Sequence, residues 1–179
     1  MPTQPFDLRN ALSVYRGLPE EEVFVLRCRQ LLVHPSAFER THLPGHFTGS
    51  AWIVNGDRSK TLLVHHGKLN RWMQPGGHAD GESNLFQVAL KEAEEETGAV
   101  LLHADAAIFD IDIHRIPARP DFPEHDHYDI RFLLVADDTR PPRVSHESHD
   151  VQWVPLEGLE KWTTERSVLR LKEKLLRSY

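Results

Sequence analysis

Pro75-Gly76-Gly77-His78-Ala79-Asp80-Gly81-Glu82, continuing from Ser83 to Gly98, decides how this chain is read. Gly76, Gly77, Asp80 and Gly81 mark backbone that turns sharply or approaches something closely. From Ser83 to Thr97 there is neither Gly nor Pro. Ser83 has the chemistry of an N-cap, and Gly98 stands where a left-handed C-cap belongs, so the segment predicts a glycine-rich loop feeding a helix. Phe86, Leu90, Ala93 and Thr97 form its core-facing stripe. Glu92, Glu95 and Glu96, at i, i+3 and i+4, project from another side of the last turns. Carboxylates there meet the unfavourable end of the helix dipole and repel one another. A charge run of this kind is usually a solvated face; a shared hard divalent cation is the alternative that offsets the repulsion.

The glycine loop shifts the balance toward the cation. Gly77, followed by Lys91-Glu92-Ala93-Glu94-Glu95-Glu96-Thr97-Gly98-Ala99, resembles the Nudix box, G-x5-E-x7-R-E-U-x-E-E-x-G-U, with U aliphatic. Two features depart from it. The box's first Glu position falls on Ser83, with a glutamate one place earlier at Glu82, so the loop is one residue shorter. Its Arg is Lys91, which keeps the charge and loses the bidentate fork.

The resemblance implies an α+β chain with the Nudix fold, a mixed β-sheet sandwiched between α-helices. It implies Mg²⁺ or Mn²⁺ held by Glu92, Glu95 and Glu96, with the Gly77 carbonyl as a further ligand. It also implies a catalytic base, either Glu95 or Glu147 in the loop Ser145-His146-Glu147-Ser148-His149-Asp150. For Glu147 a solvated loop acid is the equal alternative.

At 179 residues, 40% of them hydrophobic, the chain is long enough for one domain with a proper core. A net charge of -6 argues against a nucleic-acid polymer or an anionic membrane as partner. Cys28 is the single cysteine, which excludes an intramolecular disulfide, and its apolar neighbours indicate packing. No stretch approaches the roughly 20 apolar residues of a membrane helix, and no signal-like N-terminus is present. A soluble, cytoplasmic protein is expected; a homodimer is compatible with the sequence.

In order, 7–16 and 19–33 read as two helices, giving an N-terminal helical extension over residues 1–43 before a Nudix hydrolase domain over 44–179. Strands are expected at 46–54, 61–66, 106–113, 128–136 and 151–154, with a loop at 115–124 and a terminal amphipathic helix at 165–176. Trp72 is assigned to the core. Twelve histidines are present. His78, His114, His125 and His127 fall near strand ends with Asp126, where they could bind a transition metal or phosphate; the spacing matches no known zinc site, and isolated histidines are the simpler account. Arg115, Arg119 and Arg131 could read an anionic substrate, without a geometry to assign them.

The expected activity is metal-dependent cleavage of the pyrophosphate bond in a nucleoside diphosphate linked to another moiety, a small-molecule substrate. A Nudix-fold module that binds a nucleotide without cleaving it is the second reading. An isopentenyl-diphosphate isomerase-like enzyme is third, and its chemistry would need a positioned cysteine where Cys28 falls in a helix.

Overall fold

The computed structural model describes residues 6–146 and 148–177. Among these, α1 is Leu8–Val14, α2 Glu22–Leu31, α3 Leu85–Thr97 and α4 Arg166–Arg177; the strands are β1 Gly45–Asn55, β2 Lys60–His66, β3 Arg71–Met73, β4 Gly76–His78, β5 Leu101–Ile116, β6 His125–Ala136 and β7 Ser148–Pro155. They make a mixed sheet of seven strands with helices. Its main order is β3-β2-β1-β6-β5, with β4 pairing β1 and β7 pairing β2.

The chain divides into two compact units, each holding a part of β1, α3, β5 and β6. The first contains the chain up to Ser50, Gly76–Ala89 and Ala106–Phe132. Here β4 lies antiparallel to β1, with Gly77 opposite Gly49 and Gly76 opposite Ser50. A Cβ on Gly76 would sit 2.1 Å from the Ser50 hydroxyl and 2.9 Å from its Cα, so only glycine admits this approach. Gly49 does the same for α3: a Cβ there would meet the Leu85 carbonyl at 2.8 Å. Phe47, Ile111, Ile130 and Phe132 are buried with Leu85 and Ala89 as the apolar part of the unit.

The N-terminal helices are tied into this unit by charge. Asp7 caps α1, accepting the Asn10 amide at 2.7 Å. Glu21, fully buried, accepts the backbone N–H of Ile111 at 3.1 Å and of Leu18 at 2.6 Å, together with the Tyr15 hydroxyl. Arg27 of α2 reaches Asp126 of β6 at 2.7 Å. Cys28 packs in full burial, which pushes its thiol up to about 12 and leaves it inert, in line with a packing residue.

The second unit contains Ala51–Pro75, Leu90–Asp105 and the chain from Leu133. β2 is flanked by β3 and β7, both antiparallel to it, and Trp52, Leu62, Leu63, Val154 and Leu171 are buried around it. α4 contributes Val168, Leu171 and Leu175 from its apolar stripe.

Several boundaries differ from the sequence reading. Gly76–His78 is a strand, because its backbone completes an antiparallel ladder on β1 that glycine composition alone conceals. α3 is capped by Asn84, whose side-chain oxygen accepts the Gln87 amide at 3.2 Å; Ser83 stands one residue outside. β5 and β6 extend through Ile116 and from His125, shortening the expected loop. α2 stops at Leu31, before the expected Val33.

Candidate active site

The last two turns of α3 carry the acidic residues. The helix runs unbroken to Thr97, and Gly98 then takes φ +62° while its amide donates to the Glu94 carbonyl at 2.8 Å, the left-handed cap expected of it. Because the helix is intact there, Glu92, Glu95 and Glu96 share one side. Their exposure is graded: Glu95 is open to solvent, Glu92 half-buried and Glu96 only 8% exposed. Ala93 and Thr97, roughly a third of a turn round the helix, are fully buried. Lys91 points one turn forward, its Nζ 3.7 Å from Glu95. Both partners are more than half exposed, so the pair contributes little to stability.

Gly77 lies in β4 of the first unit, and Glu82 follows the turn in which Asp80 and Gly81 take positive φ. The Glu82 carboxylate accepts the Asn84 amide at 2.7 Å and helps start α3. Glu147 lies outside the described residues.

Three carboxylates on one helical side are hard oxygen donors of the kind that suits Mg²⁺ or Mn²⁺, and their chemistry fits such an ion.

A second constellation, left unassigned by sequence reasoning, occupies one side of the sheet in the first unit. Alternation along β6 places His125, His127, Asp129 and Arg131 together, and along β1 it places His46, Thr48 and Ser50 together. Arg131 is 1% exposed and is held by Asp129 at 2.7 Å, Asp110 at 3.2 Å and Asp112 at 3.3 Å. The other oxygen of Asp129 accepts the hydroxyls of Thr48 at 2.9 Å and Ser50 at 2.7 Å. Arg131 is thus enclosed by its own carboxylates. The period-two pattern Asp110/Asp112 against Asp129/Arg131 was the available signal.

Trp72 is half-buried. His65 stacks on it at 4.9 Å and Trp162 meets it edge-on at 5.1 Å. Arg115 is engaged by Asp126 and Glu124. Arg119 pairs by backbone with Phe122.

The NUDIX domain model matches residues 46–172. The fold is similar to that of a C. elegans Ap4A hydrolase binary complex, with TM-score 0.59 and 18% identity over 74% of this chain and 98% of that one. It is similar to the NUDIX domain of Shewanella oneidensis NrtR complexed with ADP ribose, with TM-score 0.58 and 18% identity over 74% and 86% of the two chains. It is similar also to the E. coli dihydroneopterin triphosphate pyrophosphohydrolase, with TM-score 0.55 and 13% identity over 74% and 96%. No curated protein matches the chain. The family match, spanning most of the sequence and agreeing with the fold, shows that the chain belongs to the NUDIX domain family, the family of the Nudix hydrolases.

Proposed function

We propose that the protein is a Mg²⁺- or Mn²⁺-dependent hydrolase that cleaves the pyrophosphate bond of a nucleoside diphosphate linked to a second moiety. The observation that carries this reading is the acidic side of α3: three carboxylates at i, i+3 and i+4, graded from open to buried, on a helix whose end is fixed by Gly98. Glu92, Glu95 and Glu96 would hold the metal, with the Gly77 carbonyl as a further donor. When bound, a divalent ion would withdraw charge from the phosphates and increase the acidity of the attacking water.

The chain's own groups do the rest. Ala93 and Thr97 anchor the helix, so the carboxylates keep their spacing without depending on the ion. Glu95, whose exposed carboxylate lies beside Lys91, is the residue we assign to accept a proton from water, with Glu147 as the other candidate. A base within hydrogen-bond reach contributes about 10²–10⁴-fold. The products would be two phosphorylated fragments. We read residues 1–43 as an extension ahead of a hydrolase domain at 44–179; the contacts of Glu21 with Ile111 and of Arg27 with Asp126 support that reading. Among the described residues no helix is long and apolar enough to cross a membrane. With a single cysteine and a net charge of -6, we place the protein in the cytoplasm with a small-molecule partner.

A release assay over a panel of nucleoside diphosphate derivatives, with Mg²⁺ and with Mn²⁺, tests the proposal. Metal-dependent formation of two phosphorylated products is expected. Tight binding of a panel member that stays intact would favour the binding-module reading, which Lys91 and the displaced Glu82 support.

A further inference from the structure

We propose that His46, His125 and His127 form a second metal site, one that takes Zn²⁺ rather than Mg²⁺ or Mn²⁺. His125 and His127 lie two apart on β6, hence on the same side, and His46 opens β1. One ring nitrogen of each lies within 4.8 Å of the others. The Nε2 atoms of His125 and His127 are 3.3 Å apart. A tetrahedral site with Zn–N bonds near 2.0–2.1 Å has nitrogen–nitrogen edges of about 3.4 Å, so this pair already stands at ligand spacing. Closing the His46 nitrogen from within 4.8 Å to the 3.4 Å edge takes a movement of at most about 1.4 Å.

Hydrogen bonding fixes which nitrogens are available. A carbonyl oxygen can only accept, so His125 Nδ1 donates to the Pro123 carbonyl at 2.9 Å and His46 Nδ1 donates to the His42 carbonyl at 3.3 Å. In a neutral ring each of these bonds leaves Nε2 as a lone pair. A backbone carbonyl on the far nitrogen is also how metal-ligating histidines are commonly oriented.

His46 supplies the independent observation. The residue is 1% exposed and its Nε2 is buried without a hydrogen-bond partner. An orphaned buried acceptor costs about 1–3 kcal/mol and calls for a water or an ion. His78 and His114 flank His127, their ring centres 4.9 and 5.4 Å from its own.

Neutral imidazoles select zinc and its late first-row neighbours over hard cations, which prefer oxygen. The site is therefore chemically distinct from the acidic side of α3. Its failure leaves the proposed hydrolase untouched, and the reverse holds too.

The test uses the full chain stripped by chelator and loaded with one equivalent of Zn²⁺ in millimolar Mg²⁺. X-ray absorption of the wild-type protein should show three imidazole nitrogens at about 2.0 Å. An all-oxygen shell, or no bound zinc, overturns the proposal. In parallel, His127→Gln and His46→Phe should each weaken Zn²⁺ binding at least tenfold, while Glu96→Gln leaves it unchanged. Wild-type affinity in both histidine variants, or loss of binding in Glu96→Gln alone, overturns it as well.

Discussion

Asp110, Asp112 and Asp129 in the first unit and Glu92, Glu95 and Glu96 in the second are both triplets of carboxylates, yet they are built in opposite ways. The aspartates are 0%, 7% and 1% exposed and converge on one buried guanidinium, Arg131, through three contacts of 2.7–3.3 Å. Desolvating these charges is costly, and only the tight pairing inside the sheet repays it. The glutamates instead ride one side of a helix, with Glu95 in open solvent beside a loosely held Lys91. At Glu95 water screens the repulsion, whereas Glu96 is about as buried as Asp112. The aspartates are paired inside the sheet; the glutamates keep a spacing set by the helix, and their exposure falls from Glu95 through Glu92 to Glu96, which is 8% exposed. Burial and tight pairing, more than residue type, distinguish Asp110, Asp112 and Asp129 from the solvent-exposed Glu95.

The comparison breaks most readily at Arg131. Arg131→Met should destabilise the protein by about 3–5 kcal/mol, because three buried carboxylates lose their shared partner. Urea unfolding reads this as a lower midpoint; a midpoint near wild type would mean that the aspartates do not depend on the guanidinium. Next comes Gly76→Ala, which forces a Cβ into Ser50 and should cost about 1–3 kcal/mol in the same assay. An unchanged midpoint would show that β4 can move off β1 freely.

Removing the cap with Asn84→Ala should cost about 0.5–2 kcal/mol, the usual range for losing an N-cap side chain. The smallest effect belongs to the acidic side. Glu95→Gln relieves repulsion near the helix C-terminus and should leave stability unchanged or raise it by about 0.3–0.5 kcal/mol. A loss above ~1 kcal/mol would mean that Glu95 is bound into the fold as the aspartates are, and the contrast between the triplets would fail.

Much of the fold was legible because it was written in local signals. The Gly98 cap, the uninterrupted segment ahead of it and the apolar period of α3 needed no tertiary information. The long strand after Tyr128 and the terminal helix were legible for the same reason. What escaped depends on pairing. β4 is three residues of glycine and histidine, and it is a strand only because β1 lies beside it. The added residues of β5 and β6 on either side of the proline-bearing segment belong to strands that are neighbours in the sheet. In the candidate site the three glutamates could be placed on one side by spacing alone, whereas the alternation of Asp110/Asp112 and of Asp129/Arg131 marks each strand face without showing that the two, up to 21 positions apart, meet. His46 was invisible in the same way: nothing near it in sequence announces that it meets His125 and His127.

The account rests on the acidic side of α3 serving as a metal-binding, catalytic surface. Its most direct test is the turnover of a cleavable nucleoside diphosphate derivative with Mg²⁺ by Glu96→Gln and Glu95→Gln, each measured beside its unfolding midpoint. The account predicts that both variants stay folded and lose activity by about 10²-fold or more, the scale expected of groups that act on the attacking water. Both variants folded and within a few-fold of wild-type turnover would contradict it.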